Sequence, residues 1–281
     1  MIYVSTGGYK DISFKDAIKI LSQENINAFE LSGGIYTETI LEDLKLLSSL
    51  YSISLHNYFP PAKESFVFNL GSLNDSIASQ SINHAKKAIE YASIINSNFY
   101  SFHAGYLIDP MVDELGKKIN RRTVNDRDLA KSLFIERVND LSQFAKSQNI
   151  KLLIENNVLS LKNFQEFQDN PLLMVESKET NEILENTDDN VGLLIDVAHL
   201  KVSANTLDFS AKDYLVEFKD VVSAYHLSDN NGFEDSNNIL QETSWFWDYI
   251  NKSLDYYSLE LYNLAPSSIK QQLELTEKKI Y

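Results

Sequence analysis

The chain contains no cysteine. That excludes a disulfide framework, a thiolate nucleophile and the cysteine-based zinc sites of fingers and ribbons, so any metal must be held by His, Asp, Glu or water. Glycine and proline are scarce, at 9 and 5 of 281 residues, which rules out collagen-like and low-complexity architectures. No apolar run approaches the roughly 18 residues of a membrane span, and the opening Met1-Ile-Tyr-Val-Ser-Thr6 has neither a basic n-region nor a long apolar h-region. The expectation is a soluble, cytoplasmic protein with no membrane partner. Positive charge is outnumbered: 25 Lys and Arg face 40 Asp and Glu, a formal charge of −15 whose averaged field repels nucleic acid.

What is present is a periodic alternation. Short runs rich in Val, Ile, Phe and Tyr predict strands at Ile2–Thr6, Asn27–Leu31, Ile53–Tyr58, Asn98–His103, Lys151–Asn156, Val191–Val197, Val222–Leu227 and Tyr257–Tyr262. Between them, apolar residues at helical spacing predict helices at Phe14–Gln23, Ile40–Tyr51, Ile82–Ile95, Leu129–Gln148, Ala211–Phe218, Trp245–Asn251 and Ser268–Lys279, with a mostly polar segment at Ser177–Thr187 as the weakest. Leu152-Leu-Ile154 and Gly192-Leu-Leu-Ile195 are apolar on successive residues, as in a parallel sheet covered on both faces. Eight such units, starting about 36 residues apart, match a (β/α)8 TIM barrel of the α/β class forming a single domain over residues 1–281; a doubly wound open sheet is the alternative.

Closure is favoured by where the polar residues fall. His56, His103, Glu155, Asp196, His226 and Glu260 each end or nearly end a predicted strand, which in a barrel is the C-terminal rim where active sites sit. Glu155 follows Lys151-Leu-Leu-Ile, Asp196 follows Leu193-Leu-Ile, His226 follows Val221-Val-Ser-Ala-Tyr and Glu260 follows Tyr256-Tyr-Ser-Leu. A charge emerging from a segment buried on two faces needs a partner. One buried carboxylate is commonly an ion-pair member, but four successive strands each carrying one oxygen or imidazole donor predict a shared cation. Three carboxylates and one imidazole suit Mn2+, Mg2+, Co2+ or Zn2+, and without an ion the carboxylates should repel one another and move up in pKa. His84, in Asn83-His-Ala-Lys-Lys87, is expected on a solvent-facing helix surface with no role.

The set His56 in Ser-Leu-His-Asn-Tyr-Phe-Pro-Pro, His103 in Tyr-Ser-Phe-His-Ala-Gly-Tyr, Glu155 in Leu-Ile-Glu-Asn-Asn, Asp196 and His199 in Ile-Asp-Val-Ala-His, His226 in Tyr-His-Leu-Ser-Asp-Asn and Glu260 in Leu-Glu-Leu-Tyr resembles the xylose isomerase-like TIM-barrel superfamily. Phe68-Asn-Leu-Gly-Ser72 is similar to its sugar isomerase and epimerase branch. The resemblance implies Glu155, Asp196, His226 and Glu260 as metal ligands and His199 as a substrate contact. The endonuclease IV-like branch would add ligands at His56, His103, His199, Asp235 and position 237, where this chain has Asn237 instead of His. The ketose 3-epimerases place a Glu and an Arg at positions that are Leu161 and Gly232 here, so the sugar contacts must differ from theirs.

The chemistry so implied is isomerisation or epimerisation of a small-molecule sugar or sugar phosphate. Glu155 and Glu260 are the expected proton carriers on opposite sides of the substrate; Asp196 and His226 hold the metal. His56, His103, His199 and Lys201 are candidate substrate contacts, with His56, His103 and Asp235 alternatively serving a second metal. Backbone amides at Gly7-Gly8 and Gly33-Gly34, or the basic loop with Lys117, Lys118, Arg121, Arg122 and Arg127, could receive a phosphate, though paired glycines far more often mark ordinary turns and a solvated surface explains the loop at least as well. Tyr58, Phe59, Tyr106, Trp245 and Phe246 are candidate walls for a sugar ring, and Trp245-Phe-Trp247 alternatively a subunit interface in a homo-oligomer. A metal-dependent polyol dehydratase, an apurinic-site nuclease disfavoured by the charge, and a binding protein without turnover are the competing readings.

Overall fold

The computed structural model describes residues 1–281. Its strands are β1 (Ile2–Ser5), β2 (Ala28–Leu31), β3 (Ser52–His56), β4 (Phe99–His103), β5 (Lys151–Glu155), β6 (Val191–Asp196), β7 (Val222–Leu227) and β8 (Tyr257–Leu259). All pair in parallel with their chain neighbours, and β8 returns to β1, so the sheet is a closed barrel and the open doubly wound alternative is excluded. The helices are α1 (Phe14–Ser22), α2 (Ile40–Ser48), α3 (Asp75–Ile94), α4 (Arg127–Ser147), α5 (Leu161–Phe167), α6 (Ser177–Asn186), α7 (Val197–Leu207), α8 (Ala211–Glu217) and α9 (Pro266–Ile280). None is long and apolar enough to cross a membrane.

Side chains alternate along each strand, and the two faces have different fates. Outward residues such as Leu31, Leu55, Tyr100, Phe102, Leu152, Ile154 and Ile195 join Ile18, Leu44, Ile89, Phe134, Leu200 and Ile269 of the helices in the main apolar core. Inward residues build a second, small cluster of Leu153, Leu194, Ala224 and Tyr256, against which Tyr3 and Phe99 pack. Two positions further along the same strands, the period of 2 delivers Glu155, Asp196 and His226, so the apolar floor and the polar layer above it come from one pattern.

The phase of β7 is set by an irregularity. Leu193 pairs Val222 but Leu194 pairs Ala224, so Ser223 is an extra residue on β7, and Asp196 thereby aligns with His226 instead of Tyr225. A one-residue slip turns every following side chain to the other face. Gly192 accommodates this step, since a Cβ there would lie 2.5 Å from Ser223 Oγ.

Several sequence expectations are corrected. Trp245–Asn251 is not a helix; isolated turn bonds, such as Tyr249 N to Phe246 O at 2.9 Å, do not propagate. Phe246, Trp247 and Ile250 are all drawn into the core, so Trp245-Phe-Trp247 is chiefly interior packing, not an exposed interface. His84 is buried, because Phe66 and Phe68 of the long segment after β3 fold over α3 with their rings 5.3 and 6.0 Å from its imidazole. α3 also begins earlier than expected, at Asp75, where the Asn74 carboxamide oxygen accepts Ser76 N–H at 2.9 Å. Neither α7 nor the short α5 is among the helices expected from the sequence.

Candidate metal and active site

Glu155 is paired with His103 across β4 and β5, and Asp196 with His226 across β6 and β7. Backbone capping then aims the Asp196 carboxylate. Its Oδ1 accepts the N–H groups of Ala198 and His199, both at 2.7 Å, as the N-cap of α7, leaving Oδ2 buried and unpartnered. Asn156 holds the same residue from β5: its carboxamide oxygen accepts Asp196 N–H at 2.8 Å and its amide donates to Asp196 O at 3.2 Å. Asn157 donates to the carbonyls of Ala104, Gly105 and Leu173, tying the end of β5 to the neighbouring loop.

His226 Nδ1 lies 3.4 Å from Glu155 Oε1, 3.5 Å from Glu260 Oε1 and 4.0 Å from Asp196 Oδ2. These are too long for strong hydrogen bonds; donors held at about 2.0–2.2 Å from one ion stand roughly 3.0–3.4 Å apart, so the set is slightly expanded around a cation-sized gap. Both Glu155 oxygens, Asp196 Oδ2 and His226 Nδ1 are buried without a hydrogen-bond partner. Orphaned buried donors and acceptors of this chemistry fit a divalent metal ion. Glu260 is steadied by Ser5 Oγ and by Asn237 Nδ2, each at 3.4 Å.

The electrostatics are those of acids lacking a cation. Burial and then the neighbouring Glu155 push Asp196 up to about 6 against the opposing pull of His199, and burial with Glu155 and Asp196 pushes Glu260 up to about 8 despite His226. Glu155 departs from the expected upward movement. Burial would raise it, but His103, His226 and His56 surround it and bring it well below the usual carboxylate range. Burial would lower His226, yet Glu30, Glu155 and Glu260 more than offset that and raise it well above an ordinary histidine.

The other predicted residues gather around the same centre. His56 Nε2 and His103 Nδ1 each lie 3.4 Å from Glu155 Oε2, and His199 Nδ1 lies 3.2 Å from Glu155 Oε1. Burial lowers His56 to about 3, so its imidazole is neutral. His199 Nε2 faces Asp235 Oδ2 at 3.2 Å. Asn237 is turned to Glu260 rather than to that pair.

A cavity of about 580 Å3 opens onto this centre, lined by Tyr58, His103, Tyr106, Lys117, His199 and Asp235. Of the candidate aromatic walls, Tyr58 and Tyr106 therefore face it, while Phe59 and Phe246 are fully buried in the core. A larger cavity, about 660 Å3, has no histidine in its lining; it is lined by Lys201, Asp229, Trp245 and Tyr262, with Lys201 Nζ on Asp229 Oδ1 at 2.6 Å. In the basic loop, Lys118 pairs with Glu166, Arg122 with Glu114 and Arg127 with Glu179.

Sequence reasoning missed Glu30. It is fully buried at the end of β2, with Oε2 2.9 Å from His226 Nε2. The signal was available, since Ala28-Phe-Glu-Leu31 carries a charge inside a buried run just as Leu152-Leu-Ile-Glu155 does. Asn156 was readable only as part of a motif, because its role is a contact between strands.

A family model described as xylose isomerase-like TIM barrel matches residues 18–252. Among curated proteins none matches by sequence. Among solved structures, the chain is similar to a D-tagatose 3-epimerase-like protein, with a TM-score of 0.71 at 17% identity, covering 100% of this chain and 99% of that one. It is also similar to the TTHB071 protein from Thermus thermophilus soaked with ZnCl2, with a TM-score of 0.65, 16% identity and coverage of 99% and 98%. A D-psicose 3-epimerase in the presence of D-fructose gives a TM-score of 0.65 at 12% identity, covering 98% and 89%.

Proposed function

The chain belongs to the xylose isomerase-like TIM-barrel family, and from that premise we propose that it is a divalent-metal-dependent epimerase or isomerase of a small sugar. The observation that carries this reading is the convergence of Glu155, Asp196 and Glu260 on His226 Nδ1, with unpartnered oxygens on Glu155 and Asp196, next to His103 and His199, which line a cavity of sugar size. The similarity to a D-tagatose 3-epimerase-like protein and a D-psicose 3-epimerase supports the same class.

Asp196 and His226 are assigned to hold the metal, Asp196 because its capping bonds fix one oxygen and free the other. When bound, the ion would act as a Lewis acid toward a carbonyl and adjacent hydroxyl of the open-chain sugar. Glu155 and Glu260, in contact with His226 Nδ1 from different strands, are the acid and base that remove and return a proton on the neighbouring carbon. His199, oriented by Asn156 O at 3.0 Å, can donate to a substrate oxygen. Tyr58 and Tyr106 offer an apolar face to the ring and exclude water from one side. Lys118 and Lys162 of the cavity wall are engaged by Glu166 and Glu234, and the remaining Lys117 shares that wall with the carboxylates of Glu234 and Asp235, so the substrate is read as unphosphorylated.

A second ion is an additional reading with an observation behind it: donor atoms of His56, His103 and Glu155 lie within 4.8 Å of one another. The nuclease reading is weakened by Asn237, which serves Glu260. The function is tested by incubating the metal-loaded protein with ketohexoses in D2O. Deuterium should enter the carbon next to the carbonyl and EDTA should abolish it; exchange that survives complete metal removal would refute the reading.

A further inference from the structure

We infer that Glu30 is a positioning residue for the metal centre, holding His226 with Nδ1 turned into the site, an inference that rests on the metal-site reading above. Glu30 sits on β2, the strand across the barrel that contributes nothing else to the donor set. Its Oε1 accepts Ser258 Oγ–H at 2.8 Å, and its Oε2 accepts the Tyr256 hydroxyl and faces His226 Nε2 at 2.9 Å. Both oxygens are therefore occupied, and Glu30 is not itself a free ligand.

The imidazole is left with two distinct nitrogens. Nε2–H donates to the Glu30 carboxylate, which leaves Nδ1 as the nitrogen on the side of Glu155, Asp196 and Glu260, free to take a cation when it gives up its proton. The buried carboxylate also raises the basicity of the ring, which strengthens its bond to a cation. Tyr256 and Ser258 anchor the carboxylate from β8 and the residue before it, so the chain of contacts runs from β8 through β2 to β7 without touching the ion.

The test uses Co2+ alone, added to metal-stripped protein and followed by calorimetry and by its visible d–d absorption. Glu30→Gln should weaken Co2+ binding by about 10–100-fold and shift the absorption bands, although no metal donor has been changed. Ser258→Ala, which removes one hydrogen bond to Glu30 and is the milder substitution, should give a smaller loss in the same direction and covers the case in which Glu30→Gln fails to fold. A wild type that binds Co2+ while the folded variants match it within about twofold and keep its spectrum would overturn the role of Glu30 alone. A wild type that takes up no Co2+ would overturn the metal-site reading and this inference together.

Discussion

Asn156 grips Asp196 by both its N–H and its C=O, at 2.8 and 3.2 Å, while its own carbonyl oxygen lies 3.0 Å from His199 Nδ1. One side chain at the end of β5 thus sets the height of the β6 carboxylate, and the backbone beside it sets the orientation of the histidine three residues on. Asn156→Ala leaves the Asp196 N–H buried and unpaired and removes the bond to its carbonyl, which as the N-cap still accepts from α7. The expected cost is about 2–4 kcal/mol of folding stability, by two lost bonds at about 1–2 kcal/mol each, with weaker metal binding as well. Denaturant unfolding and a metal titration of the variant check this; unchanged values in both would show that the clamp does not matter.

Glu155→Gln and Glu260→Gln should each reduce turnover by about 10²–10⁴-fold, the usual contribution of a general acid or base. The two need not be equal, because Glu155 lies well below the usual carboxylate range whereas Glu260 is pushed up toward protonation. Steady-state kinetics on an accepted ketose, together with deuterium exchange, separate loss of proton transfer from loss of the metal.

His84 gives a pH prediction independent of the metal. Burial lowers it to about 4 from an ordinary value of 6.5, and its Nε2 has no partner. Above pH 6.5 the ring is neutral in both folded and unfolded chains, and the stability it permits is fully present. As pH falls from 6.5 toward 4, the unfolded chain takes up a proton that the folded chain does not, so stability drops by about 1.4 kcal/mol per pH unit. His84→Phe, which suits the aromatic contacts with Phe66 and Phe68, should remove this part of the acid limb, a gain of about 3 kcal/mol relative to wild type at pH 4 over the difference at about pH 7. Parallel wild-type and variant stability curves across that range would exclude His84 as the titrating group.

Substrate charge is a further discriminator. With Lys118 and Lys162 occupied by Glu166 and Glu234, a phosphate at the cavity would find Lys117 unpaired but beside the carboxylates of Glu234 and Asp235, and so gains little. A free ketohexose should therefore show a higher kcat/KM than its phosphate ester, and the reverse order would mean that these ion pairs open for substrate.

The barrel and most of its site were legible because both obey local periods. Alternation within a strand fixes which residues face inward, and Leu153, Leu194 and Ala224 announce Glu155, Asp196 and His226 two positions later. What stayed hidden depends on contacts between distant segments. His84 lies on the polar-looking side of α3, and only the fold of Phe66 and Phe68 over it makes that side interior. α7 was concealed because Asp196 is at once the last residue of β6 and the N-cap of the helix, so the apolar run read as an extended strand. Trp245-Phe-Trp247 carries a strong apolar signal that serves irregular core packing, for which there is no period to read.

The central claim is that Glu155, Asp196, His226 and Glu260 share one divalent cation. Anomalous diffraction from crystals soaked in Mn2+, with data collected on either side of the manganese edge, tests it most directly. A single strong peak at about 2.0–2.3 Å from a carboxylate oxygen of each acid and from His226 Nδ1 is the expected result. A site with no peak among these four side chains, in crystals that hold manganese elsewhere, would contradict it.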